Sequence, residues 1–286
     1  MPGISLALEP ETIRAEPVII KPSSGWVALD LRALWNYREL LYFLAWRDIK
    51  VRYKQTALGI AWAIIQPLFL MMAFSVFFGR LAGVPSDGLP YPVFTLSALL
   101  PWQLFAYALG QSSNSLVAND RLISKVYFPR LVIPLSAVLS GVLDFLIGFA
   151  LLLLLMFFYG VSPGSALWSA PLFLLLTVMT ALAVGLWLSA LNIKYRDVRH
   201  TIPFIIQFWF FVTPVAYPTS LVPDSWRWLY VLNPMVGVID GFRWALFGQS
   251  EGPGLGIVMS IGVMTASLAG GLYYFRRVEK TFADVV

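Results

Sequence analysis

Long apolar stretches separated by short polar segments recur along this chain. They predict six transmembrane helices, at about residues 57–79, 92–116, 131–158, 169–191, 201–217 and 254–275. An α-helix rises about 1.5 Å per residue, so about 20 residues cross a hydrocarbon core of about 30 Å. The fifth stretch is the shortest and contains Pro203 and Pro214. The pattern therefore predicts an all-α membrane protein with a six-helix transmembrane domain over residues 57–280.

The segment before the first apolar stretch divides into two parts. Residues 1–33 contain four prolines and no sustained period, which predicts a flexible tail. Residues 34–56 combine tryptophans with a stripe of polar and charged side chains, which is typical of an amphipathic helix lying in the membrane interface. The alternative is a charged preface to the first span.

Residues 218–253 are unusual for an outer loop because they are rich in aromatic side chains. These are Trp226, Trp228, Tyr230, Phe242, Trp244 and Phe247. Irregular backbone is tolerated at membrane depth where protein or a wet cavity covers it. We interpret this region as two short re-entrant helices hinged at Asn233-Pro234. The alternative is an aromatic cap at the membrane interface.

Composition supports a membrane protein. The chain is 59% hydrophobic and 12% charged, with a mean hydropathy of +0.76, whereas soluble domains carry about 25% charged residues. Cysteine is absent and His200 is the single histidine, so disulfides, thiolate metal sites and histidine clusters are excluded. No isolated basic domain exists that would bind nucleic acid, and we assign the net charge of +5 to contacts with anionic lipid or an acidic partner.

The basic residues are distributed asymmetrically about the predicted spans. Of 20 Lys and Arg residues, all except Arg80, Arg227 and Arg243 fall in segments that six crossings place on one side. Lys and Arg near spans are retained in the cytoplasm. Both termini are therefore predicted to be cytoplasmic.

Two connections on the predicted cytoplasmic side contain side chains that a simple linker would not need. Residues 119–130 contain Leu122, Ile123, Val126, Tyr127 and Phe128, apolar side chains that need a surface to cover them. An amphipathic helix in a partner's groove would supply that surface. The second connection, residues 192–200, is short and charged and offers Arg196 and Asp197 to a partner.

Aromatic side chains form a candidate path for a substrate. Phe204, Phe208 and Phe211 recur at i, i+4 and i+7 on the fifth span, with Trp209 and Gln207 beside them. Aromatic faces with nearby polar groups suit sugars, because ring C–H groups pack on the π-face. A lipid-facing or packing stripe gives the same spacing.

Asp144 is the only acid deep in a predicted span, and such a group faces protein or water. It shares a stripe with Ser136, Ser140 and Gly148, which favours helix packing with an internal hydrogen bond over a hydrophilic patch on a glycan path. Two further small-residue stripes predict packing seams, Thr177-Ala181-Gly185-Ser189 and Gly262-Ala266-Gly270.

Four basic residues lie at the inner interface before the first span: Arg47, Lys50, Arg52 and Lys54. Basic groups at this level orient the chain and attract anionic lipid. The alternative is a docking site for the pyrophosphate head of a lipid carrier.

Four ordered stretches together resemble a known family. They are RDIKVRYKQTALGIAWAIIQPL from residue 47, LPWQLFAYAL from residue 100, SNSLVANDRLISKVYFPR from residue 113 and NIKYRDVRH from residue 192. The chain resembles, over about residues 34–280, the membrane subunit of type-2 ABC transporters that export polysaccharides such as O-antigen, capsule or teichoic acid.

The resemblance implies a bacterial inner-membrane permease with six spans, an N-terminal interface helix and re-entrant outer helices. Two copies would form the channel for a lipid-linked polysaccharide, most specifically O-antigen, and each copy would dock a nucleotide-binding ATPase subunit. It also favours the channel role of the aromatic stripe, because the family's pores are aromatic-rich. The coupling helix would comprise Leu122, Ile123, Ser124, Lys125, Val126, Tyr127, Phe128, Pro129 and Arg130, with residues 192–199 as a second contact.

The chain has no G-x-x-x-x-G-K-[ST] phosphate cradle, so we expect no enzymatic activity and no cofactor on it. ATP and Mg would bind the partner subunit. An ion-coupled carrier would need more intramembrane ionisable groups than Asp144. A membrane-embedded enzyme would need clustered carboxylates or a metal site, which the spans lack. A type-2 exporter of another glycan, a lipid or a drug is the remaining alternative.

Overall fold

The computed structural model describes residues 31–54, 59–195, 197–248, 254–279 and 282, and these residues contain helices and connections but no strand. The predicted tail lies outside the described residues except at its end, where the first helix already begins at Leu31. Arg196, residues 55–56 of the predicted interface helix and residues 249–253 of the predicted re-entrant region also lie outside them.

The helices follow one another with short connections. They are α1 (Leu31–Asn36), α2 (Arg38–Lys54), α3 (Trp62–Phe74), α4 (Tyr91–Ala118), α5 (Asp120–Lys125), α6 (Val132–Ser140), α7 (Val142–Phe158), α8 (Ala170–Lys194), α9 (Val198–Phe211), α10 (Asp224–Tyr230), α11 (Pro234–Phe247) and α12 (Leu255–Glu279). A π-helical segment, Ser75–Leu81, extends α3, and single 3-10 turns lie at Gly59–Ala61, Leu167–Ser169 and Thr219–Leu221.

Five of the predicted spans are confirmed as helices long and apolar enough to cross a membrane. Within the described residues these are Gly59–Leu81, Tyr91–Ala118, Val132–Phe158, Leu167–Lys194 and Leu255–Glu279. The predicted fifth span differs, because α9 has 14 residues and a length of about 21 Å. The chain bends over residues 213–217, around Pro214, which lacks a backbone donor and disfavours helix in the residue before it.

α4 is the centre of the bundle. In its most apolar window 78% of the residues are buried, and α3, α6, α7, α8, α9 and α11 pack around it. The predicted seam on α8 is confirmed, since its four residues are buried and a Cβ at Gly185 would lie 2.0 Å from Ser112 Oγ on α4. The predicted seam on α12 is wrong at Gly262, where a Cβ would meet nothing within 4 Å. There only Gly270 packs closely, against Trp187.

The chain from the end of α8 to the bend after α9 contacts both ends of α4. At one end, the Asn192 side chain donates to Ser113 O (3.0 Å) and to Asn114 Oδ1 (3.1 Å), near the C-terminal end of α4. At the other end, the Tyr91 hydroxyl, in the first turn of α4, donates to Ala216 O at 2.6 Å. The chain between Asn192 and Ala216 therefore joins the two ends of the bundle although α9 is short.

Two helices, α10 and α11, flank Asn233-Pro234 as predicted. The Asn233 side chain caps α11 by accepting from Met235 N (3.0 Å), and it also accepts from Trp209 Nε1 (2.8 Å). Pro234 shares a crevice with Thr180, which lies ten residues, or about 15 Å, along α8. At the opposite end of α11, Gly164 N donates to Leu246 O (2.7 Å).

α2 packs along α6 and buries Leu44. The predicted separation of apolar and charged faces is weak. Tyr42, Phe43, Trp46 and Val51 are exposed on the same helix as its charged residues, so apolar side chains occur all around it.

Candidate functional site

The largest cavity in the described part of the chain has a volume of about 990 Å³ and lies between α3, α4, α7 and α9. Aromatic side chains dominate part of its wall. Phe210 meets Trp102 and Phe74 edge-on, with ring centroids 5.4 Å and 5.7 Å apart. Trp62 and Phe211 complete this apolar region. An aromatic wall of this kind can pack against the C–H faces of sugar rings or against an acyl chain.

An ion pair lies in the wall of the same cavity. The Arg52 guanidinium pairs with the Asp144 carboxylate, which also accepts a hydrogen bond from the Tyr53 hydroxyl. Arg52 lies over the ring of Tyr107 on α4, 4.2 Å from its centroid. The end of α2 is thus fastened to both α7 and α4, and the carboxylate at this depth is compensated by a neighbouring cation.

This arrangement corrects the interpretation of the stripe around Asp144. The hydroxyls of Ser136 and Ser140 each bond a carbonyl of their own helix, at 2.8 Å. Tyr107 and Ser140 are within 3.1 Å. Asp144 therefore finds its partners on α2, a helix that the stripe does not include. The sequence contained one usable signal, a lone acid in a span and a basic group just before another span, but no spacing rule links the two.

A second cavity of about 500 Å³ lies nearer the C-terminal end of α4, between α2, α4 and α6. Arg47 lies in its wall, pairs with Asp48 (2.9 Å) and donates to Asn119 Oδ1 (3.1 Å). The two cavities share the same four side chains in their walls, which are Arg52, Tyr107, Gln111 and Asn114. A polar vestibule therefore adjoins the larger, more apolar cavity.

The four basic residues predicted as a cluster are not brought together. Arg47 and Arg52 are each paired with a carboxylate. Lys50 is exposed and lies over the Trp46 ring at 5.4 Å, and Lys54 is exposed at the end of α2. The two lysines therefore remain candidates for lipid contact, whereas the two arginines hold the helix in place.

The predicted coupling segment forms the short helix α5 followed by an extended stretch. Ile123 and Phe128 are buried by the chain itself, which corrects the expectation that they need a partner to cover them. Tyr127 has 74% of its surface exposed, and Val126 is exposed as well. Leu122 is half-buried, and Ser124 and Lys125 are exposed. Two apolar anchors thus hold the segment and present a different set of side chains outward.

The end of the coupling segment is attached to the end of α12. Arg130 N donates to Glu279 Oε1 (3.3 Å), and the Arg130 guanidinium donates to the Glu279 carbonyl. Arg276 pairs with the same carboxylate at 3.1 Å. Phe282 is buried against Phe275 and lies 5.7 Å from the Arg130 guanidinium. Arg130 is therefore engaged within the chain, next to the half-buried Pro129. Asp197, at the start of α9, is exposed.

The predicted aromatic stripe faces outward. Phe204, Phe208 and Phe211 are 69%, 61% and 65% exposed. Trp209 lies on another face, where it packs edge-on against Phe105 at 5.0 Å and donates to Asn233. The cavity wall uses a neighbouring face of α9 that includes Gln207 and Phe210, with Phe211 at its edge. The structure therefore separates Trp209, which holds α9 against α4 and α11, from the exposed phenylalanines.

The amino-acid sequence is similar to those of known proteins. The ABC-2 type transporter family matches residues 39–247. The chain is 32% identical over 251 residues to the O-antigen export system permease protein RfbA of Klebsiella pneumoniae, covering 87% of this chain and 95% of that protein. It is 31% identical over 262 residues to the protein of the same name from Myxococcus xanthus, covering 90% and 98%.

A more distant relative is the polysialic acid transport protein KpsM of Escherichia coli, 25% identical over 238 residues, covering 80% of this chain and 90% of that protein. The family match over residues 39–247 includes most of α2, the predicted coupling segment, the helices that line the cavity and α11. The chain belongs to the ABC-2 type transporter family.

Proposed function

We propose that this chain is the permease subunit of an ATP-driven exporter that moves a lipid-linked polysaccharide, most specifically O-antigen, across the bacterial inner membrane. The observation that carries the proposal is the cavity of about 990 Å³, which is lined by three membrane-length helices and by α9 and has aromatic and amide side chains in its walls. Relatives named for O-antigen export align with most of the chain, which supports the same class of cargo.

The transmembrane domain crosses six times in this proposal. The fifth crossing combines α9 with the bent residues that follow it, because the chain from Asn192 at the end of α8 to Ala216 contacts opposite ends of α4. α10 and α11 form the re-entrant pair, since Pro234 lies beside the middle of α8 while Leu246 contacts the outer connection at Gly164. Six crossings leave both termini in the cytoplasm, in agreement with the distribution of Lys and Arg.

Two copies of the chain form the channel. α3 and α9 border the cavity, yet only 11% of the most apolar window of the α3 span is buried within the chain. Phe211 of α9 lies at the cavity edge, and Phe204 and Phe208 are exposed on the same helix. A second copy facing these helices would cover them and close the channel, as expected for symmetric membrane assemblies.

The ATPase subunit docks on the coupling segment. The buried side chains of Ile123 and Phe128 hold the segment against the rest of the chain. Tyr127, Val126 and Lys125 are left as a rigid exposed surface. A large exposed aromatic side chain next to an aliphatic one is typical of a binding hot spot. ATP and Mg bind in that partner. Nucleotide-driven closure of two such partners would shift the segment together with α4 and α12, to which it is attached.

Tyr127→Asp tests the docking surface. The variant places a charge in the centre of the exposed surface without touching the buried anchors, so we expect normal membrane insertion, loss of the co-purifying ATPase subunit and loss of surface polysaccharide. Affinity purification from the native membrane measures both binding and insertion. Tyr159→Asp, an exposed tyrosine after α7 at the opposite end of the bundle, is the matched control. Unchanged ATPase recovery with Tyr127→Asp would refute the docking assignment.

A further inference from the structure

All four glutamines within the described residues lie in the wall of the large cavity. Gln66 comes from α3, Gln103 and Gln111 from α4, and Gln207 from α9. An amide placed at bilayer depth is unfavourable unless it finds hydrogen bonds. Helix packing alone does not require amides from three helices to converge on one space. The convergence points to a ligand that supplies hydrogen-bonding groups.

The α4 side of the cavity has a regular spacing. Gln103, Tyr107 and Gln111 are four residues apart, so they lie on one helix face at steps of about 6 Å. The two amides are therefore about 12 Å apart along the helix axis, with the Tyr107 ring between them. Polar and aromatic groups thus alternate along the direction in which a chain would cross the membrane.

The hydrogen bonds of these amides distinguish them from a structural amide nearby. Asn114 donates to Gly110 O (2.9 Å), and its oxygen accepts from Asn192 (3.1 Å), so its bonding groups are used within the fold. Gln103 differs, because its Nε2 is buried and has no acceptor among the described residues. A buried donor without a partner is unfavourable, so something else in the cavity is expected to satisfy it.

The charges around the two cavities favour a neutral ligand. Arg52 is paired with Asp144 and Arg47 with Asp48, and these are the charged side chains in the walls of the two cavities. A phosphate group is recognised by cations that carry no carboxylate partner. Sugar hydroxyls instead need groups that both donate and accept, and the amide of glutamine does both.

We propose that Gln103 and Gln111, together with Gln66 and Gln207, form a track that hydrogen-bonds the hydroxyl groups of the sugar chain, and not the phosphate of its lipid carrier, as the chain crosses. The inference rests on the proposed function. It further specifies that these amides bind the sugar part of the cargo. Amides exchange donor and acceptor partners without a change of charge, so successive sugar units can occupy the same positions. Other aromatic rings in the cavity wall, such as Trp62 and Phe210, supply faces for the sugar C–H groups.

The test replaces both α4 amides, as Gln103→Leu/Gln111→Leu, in the full chain expressed with its ATPase subunit in a host lacking its own copy. We expect surface polysaccharide to fall by at least roughly tenfold, the size of losing two hydrogen bonds to the cargo, with undelivered polymer accumulating inside. The membrane abundance of the variant should be unchanged. Gln103→Asn/Gln111→Asn keeps the amides and should retain most export.

The matched control is Ser97→Ala on the same helix, a buried polar side chain whose Oγ bonds its own helix at Phe94 O (2.7 Å) outside the cavity. The single variant Gln111→Leu provides a second test, because this side chain is exposed to both cavities and its loss leaves helix packing intact. Wild-type export by Gln111→Leu and by the double variant at normal abundance would overturn the track.

A further arm measures binding of inorganic pyrophosphate to the purified wild-type chain in lipid nanodiscs. Binding that disappears in Gln111→Leu would assign the wall to the carrier's phosphate and would also overturn the proposal. Failure of the proposed function is distinguishable, because deleting the whole chain would then leave surface polysaccharide unchanged. If that deletion abolishes export while the glutamine variants export normally, only the track is wrong.

Discussion

Two helices that line the cavity, α4 and α9, are built differently. α4 has 28 residues, is enclosed by six neighbouring helices and buries most of its side chains. α9 has 14 residues, buries Ile202 alone among the side chains of its described helix and presents three phenylalanines outward. The α4 part of the wall is therefore fixed by the fold of a single chain, whereas the α9 part leaves exposed side chains that a neighbouring molecule can cover. A channel assembled from two copies requires both kinds of wall.

The largest expected effect comes from breaking the packing of α4. In Gly185→Val the new side chain would overlap Ser112 on α4, because even a Cβ would lie 2.0 Å from Ser112 Oγ. We expect the free energy of unfolding to fall by about 3 kcal/mol, with loss of monodisperse protein in fluorescence-detected gel filtration. Gly262→Val is the control, since a Cβ there meets nothing within 4 Å. Equal losses in both variants would mean that α4 is not the fixed wall.

A smaller effect is expected from the ion pair held against the α4 wall. Arg52→Gln leaves the Asp144 carboxylate at membrane depth without its cation, so we expect a loss of about 1–3 kcal/mol, reduced by the partial exposure of both side chains. Adding Asp144→Asn removes the uncompensated charge and should restore most of the stability. Thermal unfolding of the wild type, Arg52→Gln, Asp144→Asn and the double variant measures this cycle. A double variant as unstable as Arg52→Gln would exclude the carboxylate as the cause.

The smallest effect on stability is expected for α9. Phe208→Ala removes an exposed ring, so the free energy of unfolding should change by less than about 0.5 kcal/mol. The fraction of dimer in detergent and the amount of exported polysaccharide should nevertheless fall, because the ring faces the proposed second copy. Phe157→Ala, an exposed phenylalanine on α7, is the control. Dimer and export at wild-type levels for Phe208→Ala would favour a lipid-facing stripe.

The apolar pattern predicted most of the helices because membrane insertion is decided by local composition. It predicted the span at residues 201–217 less well, since Pro214 ends the helix while the backbone continues toward Ala216. The seam around Gly185 was predictable from spacing, but in the equally spaced stripe on α12 Gly270 packs closely whereas Gly262 does not. A small-residue spacing therefore predicts close packing only where a partner helix is present.

The candidate site was predicted in part. The sequence identified Asp144, but of the aromatic residues predicted on α9 only Phe211 lies in the cavity wall, and there was no reason to pair Asp144 with Arg52, 92 residues earlier in the chain. The sequence analysis also expected Ile123, Phe128 and Tyr127 all to need a partner's surface. Only Tyr127 is exposed, because exposure within a short loop depends on how the loop folds back. Glutamines on three helices lack a common period, so their meeting in one cavity became visible only in three dimensions.

The fastening of Arg130 to Glu279 has a practical consequence for anyone who labels this protein. Phe282 is inserted beside that contact, so a fluorescent protein or affinity tag fused just beyond it would emerge next to the surface around Tyr127. Such a fusion would obstruct docking of the ATPase subunit that we propose binds this surface.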